Sequence, residues 1–201
     1  ETLNREVALA ETLARSPVIL DWAADEEEPA IKERGIRELE HYRLAFRDRS
    51  YFFAVNASGN YYFNDAGNSY AGEQKRYRLS PDNPRDGWYY ATLKQGPGCQ
   101  LNVDYDDNLG VTRVWINCVA LDRLRQPVGI VGTGIDLSTF IREVVNSHQK
   151  GVESLFVDRF GAIQASREPT SIDFQSLTKD IGDKKTVFQR VGDPADRRTL
   201  A

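Results

Sequence analysis

Apolar residues recur every three to four positions at the start of the chain, at Leu3, Val7, Ala10, Leu13 and Ala14, which predicts helix from Glu1 to about Ala24. Ser16-Pro17 marks a break or restart within it. After the acidic run Asp25 to Glu28, Pro29 stands at a first helical turn, and Ile36, Leu39, Tyr42 and Phe46 line one side of a second helix. The pattern then changes. Tyr51-Phe52-Phe53-Ala54-Val55 and Asn60-Tyr61-Tyr62-Phe63 flank Asn56-Ala57-Ser58-Gly59, which predicts a hairpin. Residues Asp65 to Asp82, rich in Gly, Asn, Ser and Asp, predict a long loop. Asn83 as cap, Pro84 at the first helical position and Gly96 as stop bracket a helix carrying Trp88, Tyr89 and Leu93.

Between the two cysteines, Asp107-Asn108-Leu109-Gly110 reads as a type I turn and sets a register in which paired positions sum to 217. One face then pairs Cys99 with Cys118, Leu101 with Ile116, Val103 with Val114 and Tyr105 with Thr112. The other carries Gln100, Asn102, Asp104, Arg113, Trp115 and Asn117, and is either wet surface or the lining of a pocket. The facing cysteines predict a disulfide and an oxidising compartment, with two buried reduced thiols as the alternative. Val128 to Asp136 predicts a buried strand whose glycines at 129, 132 and 134 admit a second backbone or a ligand. Ser138 then caps a helix with Phe140, Ile141, Val144 and Val145 on its apolar side.

An internal echo lies 102 residues downstream of the first hairpin: Phe53-Ala54-Val55-Asn56-Ala57-Ser58-Gly59 against Leu155-Phe156-Val157-Asp158-Arg159-Phe160-Gly161. It predicts two tandem modules, each opening with a helix and a hairpin, the second incomplete because only Thr186-Val187-Phe188 looks strand-like after Ser166.

Composition narrows the function. A hydrophobic share of 40% supplies a core, and a net charge of −4 excludes nucleic acid and anionic lipid as main partners. No run approaches the ~20 apolar residues of a membrane span. The lack of methionine among 201 residues predicts a piece of a longer chain. His41 and His148 have no partner at metal-ligand spacing, and neither a phosphate loop nor a Gly-x-Ser-x-Gly motif is present. The expectation is a fragment that is not an enzyme, with no catalytic residues, no cofactor and no metal.

Taken together, the helix, the Phe-x-Val-Asn-x-x-Gly hairpin, the long loop, Trp88-Tyr89, the hairpin around 106–110 and Gly134-Ile135-Asp136-Leu137 resemble the double Cache sensor domains. The resemblance spans Glu1 to about Arg167. It implies an α+β fold, with a long N-terminal helix bearing two PAS-like lobes whose antiparallel sheets are flanked by helices. The stalk falls at 1–47, a membrane-distal, ligand-binding lobe at 48–150 and a membrane-proximal lobe at 151–201. It further implies the periplasmic part of an inner-membrane receptor, anchored through flanking segments and pairing as a homodimer through its N-terminal helices. The Asn102 to Asp106 and Val111 to Asn117 hairpin resembles receptors with a cytoplasmic diguanylate cyclase output (GGDEF). Histidine-kinase and chemoreceptor outputs are the alternatives, as is an interaction module without a small ligand.

In family members that bind amino acids, the resemblance places the ligand among an Arg-x-Trp-Tyr run, a Tyr-x-Asp run and the strand-end Asp. With the polar hairpin face added to these motif positions, the candidate ligand-binding residues are Tyr77, Arg85, Trp88, Tyr89, Asn102, Asp104, Asp106, Arg113, Trp115 and Asp136. The match is partial. Arg85 is one residue further from Trp88, Asp86 stands where Arg is expected, and Asp104 stands where Tyr is expected. Losing the carboxylate clamp counts against an amino acid, and a pocket this acidic and aromatic favours a cationic or hydroxyl- and amine-rich molecule within the expected partner class of amino acid, amine or other small polar metabolite.

Overall fold

Proline positions set the helical N-terminus. In the computed structural model, which describes residues 2–106, 111–145 and 153–191, α1 (Thr2–Ala14) gives way at Ser16 to α2 (Pro17–Ala24), and α3 (Pro29–Ala45) begins at Pro29. Both prolines stand in a first turn, where a missing N–H breaks no hydrogen bond. Among the described residues no helix is long and apolar enough to cross a membrane.

Six antiparallel strands follow in the order β3-β2-β1-β6-β5-β4: β1 (Tyr51–Val55), β2 (Asn60–Asn64), β3 (Lys75–Arg78), β4 (Cys99–Asp106), β5 (Val111–Leu121) and β6 (Pro127–Asp136). The chain divides into two compact units, 1–100 with 115–134 and 101–114 with 135–201.

In the first unit, the pairs Phe53–Tyr62 and Phe53–Val131 put these side chains on one face, and Phe52–Phe63 and Tyr61–Tyr77 lie on the other. The first face is covered by helices. The Trp22 ring lies 5.2 Å from Phe53 and 4.7 Å from Tyr62, centroid to centroid. A Cβ on Gly35 of α3 would enter that indole, so the residue must be glycine. Two carboxylates fix the helices to the strand edges: Glu26 accepts from Asn60 Nδ2 and Tyr62 Oη, each at 2.7 Å, and Glu40 from Tyr51 Oη at 2.9 Å and Asn64 Nδ2 at 2.6 Å. Burial, reinforced by the facing carboxylates, pushes the Tyr51 and Tyr62 hydroxyls well up, so both remain donors at any physiological pH.

The cysteines form the expected disulfide. Val119 N–H donates to Gly98 C=O at 3.0 Å, which makes 98 and 119 a hydrogen-bonded pair and Cys99–Cys118 the adjoining non-hydrogen-bonded pair, where strands approach most closely. The Cα atoms are 4.0 Å apart. The turn at 107–110 that suggested this register lies outside the described residues. Two β6 glycines serve a neighbouring backbone: a Cβ at Gly129 would meet Ala54 C=O at 2.5 Å, and one at Gly132 would collide with Ile116 C=O.

The second unit packs Val103, Val114, Ile135, Phe140 and Ile163 as its core. Its hairpin, β7 (Phe156–Val157) and β8 (Ile163–Ala165), confirms the internal echo at the level of the turn. Gly161 has φ 75° and Gly59 has φ 74°, each three residues after the Asp or Asn that opens its turn.

Three expectations change. The predicted loop 65–82 contains β3, an edge strand whose Lys75, Arg76 and Arg78 hide it from a hydrophobicity pattern, as charges on exposed edges do. Asp136, rather than Ser138, caps α5 (Leu137–Phe140), which continues as a π-helical turn over Ile141–Val145. The strand-like run at 186–188 supplies one bridge, Ala162 to Thr186, and then turns into α6 (Val187–Arg190). Thr186 N–H is held by Gln189 Oε1 at 3.1 Å, so the chain follows its cap rather than its β-branched residues. His148 lies outside the described residues.

Candidate ligand-binding face

On the sheet face opposite the N-terminal helices, aromatic side chains from five elements of the first unit come together. Phe52 of β1 sits edge-on to Trp88 of α4 (Gly87–Gln95) at 5.6 Å and to Trp115 of β5 at 5.8 Å. Tyr61 of β2 stacks on Tyr77 of β3 at 4.6 Å and meets Trp88 at 6.3 Å. Phe52, Tyr61 and Trp115 are buried, whereas Tyr77 and Trp88 are half-exposed, so the cluster has a closed floor and an accessible rim.

The α4 segment is placed by its start signal. Asn83 Oδ1 accepts from Arg85 N–H at 3.1 Å, and Gly96, at φ 90°, ends the helix. Asp86, expected to add acidity to the pocket, is buried and structural: its carboxylate accepts from Ser80 N–H at 2.8 Å and Asn83 Nδ2 at 3.2 Å. Arg85 is exposed. Tyr89 is buried, donates to Asn56 Oδ1 at 2.9 Å, and has its hydroxyl pushed up by burial, so it fixes α4 to the first hairpin turn.

Among the described residues, the first unit carries an unsatisfied polar group on this face. Strand alternation puts Asn117 on the same side of β5 as Trp115. Asn117 is 1% exposed, and its Nδ2 has no hydrogen-bond partner. A buried amide donor without an acceptor costs about 1–3 kcal/mol, so such a group marks a place for a ligand or water atom. Sequence reasoning put Asn117 on the polar face without singling it out, because its lack of a partner depends on the packed neighbours.

The remaining candidates belong to the second unit. Asn102 is 2% exposed with Oδ1 unpartnered, and Asp104 and Arg113 are half-buried. The side chain of Asp106 lies outside the described residues. Asp136 is exposed and accepts from Ser138 Oγ at 2.5 Å and Thr139 N–H at 2.9 Å. These bonds, with a further contribution from the Arg113 charge, lower its carboxyl below the ordinary value of 3.8 and keep it ionised. Among the described residues no group of three His, Cys, Asp or Glu gathers to hold a metal.

Comparison with solved structures places the fold. The ligand-binding domain of the Pseudomonas fluorescens chemoreceptor CtaA, in complex with L-isoleucine, matches with a TM-score of 0.58 at 18% identity, over 85% of this chain and 63% of that one. The ligand-binding domain of the Pseudomonas aeruginosa PAO1 amino acid chemoreceptor PctB, in complex with L-Arg, matches at 0.56 and 20%, over 85% and 65%. The sensor domain of the Vibrio cholerae histidine kinase DctB matches at 0.55 and 13%, over 85% and 62%. This chain spans a little under two thirds of the length of each. No protein-family profile matches the sequence. The chain has an α+β fold of the kind found in receptor sensor domains, with an N-terminal helical region and a six-stranded antiparallel sheet flanked by helices.

Proposed function

We propose that this chain is the extracytoplasmic ligand-sensing part of a membrane signal-transduction receptor and that it binds a small polar molecule bearing an amine. The observation that carries this reading is the half-open aromatic cluster of Tyr61, Tyr77, Trp88 and Trp115 beside the unpartnered Asn117 amide. Aromatic faces attract a cationic centre. The Asn117 donor asks for an oxygen acceptor on the same molecule, which an amino acid or amino alcohol provides. The solved domains of like fold are ligand-binding or sensory domains, two of them in complex with amino acids, which supports a sensing role without a catalytic step.

The reading includes a periplasmic location, attachment to the inner membrane through flanking segments, and pairing through the N-terminal helices. For the output, the β4–β5 hairpin sequence points to a diguanylate cyclase, while the structures of like fold come from chemoreceptors and a histidine kinase and fit those outputs at least as well. The gene sequence beyond this chain decides between them.

A thermal-shift screen of amines, amino acids and dicarboxylates tests the binding claim. Saturable stabilisation by at least one amine-bearing compound is expected, with about 2.7 kcal/mol gained at a hundredfold excess over Kd. Stabilisation by dicarboxylates alone would contradict the amine requirement.

A further inference from the structure

On the helix-covered side of the first unit, a groove of about 280 Å³ runs between α1 and the base of the β4–β5 hairpin, and the Cys99–Cys118 disulfide lies in its wall. Cys99 is half-exposed, while Cys118 is 1% exposed. Four charged side chains line the same groove: Glu11 and Arg15 from α1, and Asp122 and Arg125 from the turn after β5. They comprise two cations and two anions. Among the described residues, the side chains of Glu11, Arg15 and Arg125 make no hydrogen bond or ion pair with each other or with the rest of the protein. Asp122 Oδ1 is held by the N–H groups of Leu124 and Gln126, at 2.9 and 2.8 Å. An accessible disulfide beside uncommitted charges of both signs, in a hollow with room for an amino acid, is a setting for a reactant that is both zwitterion and thiol.

We infer that this groove is a thiol–disulfide exchange site for a small zwitterionic thiol of the cysteine type. The carboxylate of the incoming thiol faces Arg15 and Arg125, and its ammonium faces Glu11 and Asp122. Its thiolate attacks Sγ of Cys99, the less buried of the two cysteines. A bond forms between the two sulfurs, the Cys99–Cys118 bond breaks, and the electron pair leaves on Cys118 Sγ, which takes a proton from solvent. Cys118, once deprotonated, can attack the mixed disulfide at Cys99 and expel the small thiol, restoring the starting state. A second small thiolate instead attacks the mixed disulfide at the small molecule's sulfur, releases Cys99 as a thiol and leaves as the oxidised dimer of the reagent. Two thiols are oxidised for each protein disulfide reduced. The site is separate from the aromatic face, and the inference holds whether or not that face binds a ligand.

The test is to react the oxidised, folded chain with free cysteine, cysteamine, which lacks the carboxylate, and N-acetylcysteine, which lacks the ammonium. Mixed disulfide and free thiol are counted by mass spectrometry, and rates are corrected for thiolate concentration and thiol basicity. Free cysteine should react about three- to tenfold faster than either analogue, the lead expected from two complementary exposed charge pairs. Arg15→Gln with Arg125→Gln, both exposed positions, should erase its lead over cysteamine. Equal corrected rates for the three thiols, or reduction that proceeds only at the rate of unfolding in urea, would overturn the inference.

Discussion

Single residues hold this molecule in place where a side chain has no alternative. Gly35 is one: the Trp22 ring occupies the space of its missing Cβ. Gly35→Ala should therefore lower the unfolding free energy by about 1–3 kcal/mol, measured by urea titration. Asp136 is another, since its depressed carboxyl caps α5. The sign is that of a group whose folded value lies below its unfolded one. Its contribution is complete above pH 3.8 and is lost as pH falls through the lower folded value. Asp136→Asn should flatten the acid limb of the stability curve there, followed by circular dichroism. At this scale the sequence was legible wherever chemistry is local. Asn83, Pro84 and Gly96 mark a helix start and stop by their own conformational preferences. The orphaned Asn117 amide and the structural use of Asp86 were not legible, because both depend on neighbours that only tertiary packing supplies.

Elements were readable where one face is apolar and the other polar. The β1–β2 hairpin and the cysteine-bearing hairpin both announce themselves by alternation, and a one-residue slip would move every side chain to the wrong face. The edge strand β3 carries three basic residues in four, so its pairing with β2 had no hydrophobic signature. Run 186–188 misleads in the opposite sense, its β-branched start being overridden by a local cap. The disulfide closes a sequence separation of 19 residues at the base of the β4–β5 hairpin. Replacing both cysteines by serine should cost about 2–4 kcal/mol of stability, read as a lowered denaturation midpoint. Helix docking on the sheet rests on Glu26 and Glu40 as well as on Trp22. Glu40→Ala leaves the Tyr51 hydroxyl and Asn64 amide without their shared acceptor, and should destabilise by about 1–3 kcal/mol.

At the largest scale, the first unit has two unlike sheet faces: helices cover one, and aromatic side chains with an unsatisfied donor occupy the other. The three tryptophans report on the two sides separately, because Trp22 lies under the helices while Trp88 and Trp115 stand on the aromatic face. A fluorescence titration with the best amine-bearing compound from the thermal-shift screen is therefore the most direct test of ligand binding at that face. Binding there predicts a saturable change that persists in Trp22→Phe, is reduced in Trp88→Phe, and weakens by about tenfold or more in Tyr77→Ala, as expected on truncating an aromatic anchor. A saturable change that survives Trp88→Phe and Tyr77→Ala but vanishes in Trp22→Phe would contradict it and move the ligand to the opposite side of the sheet.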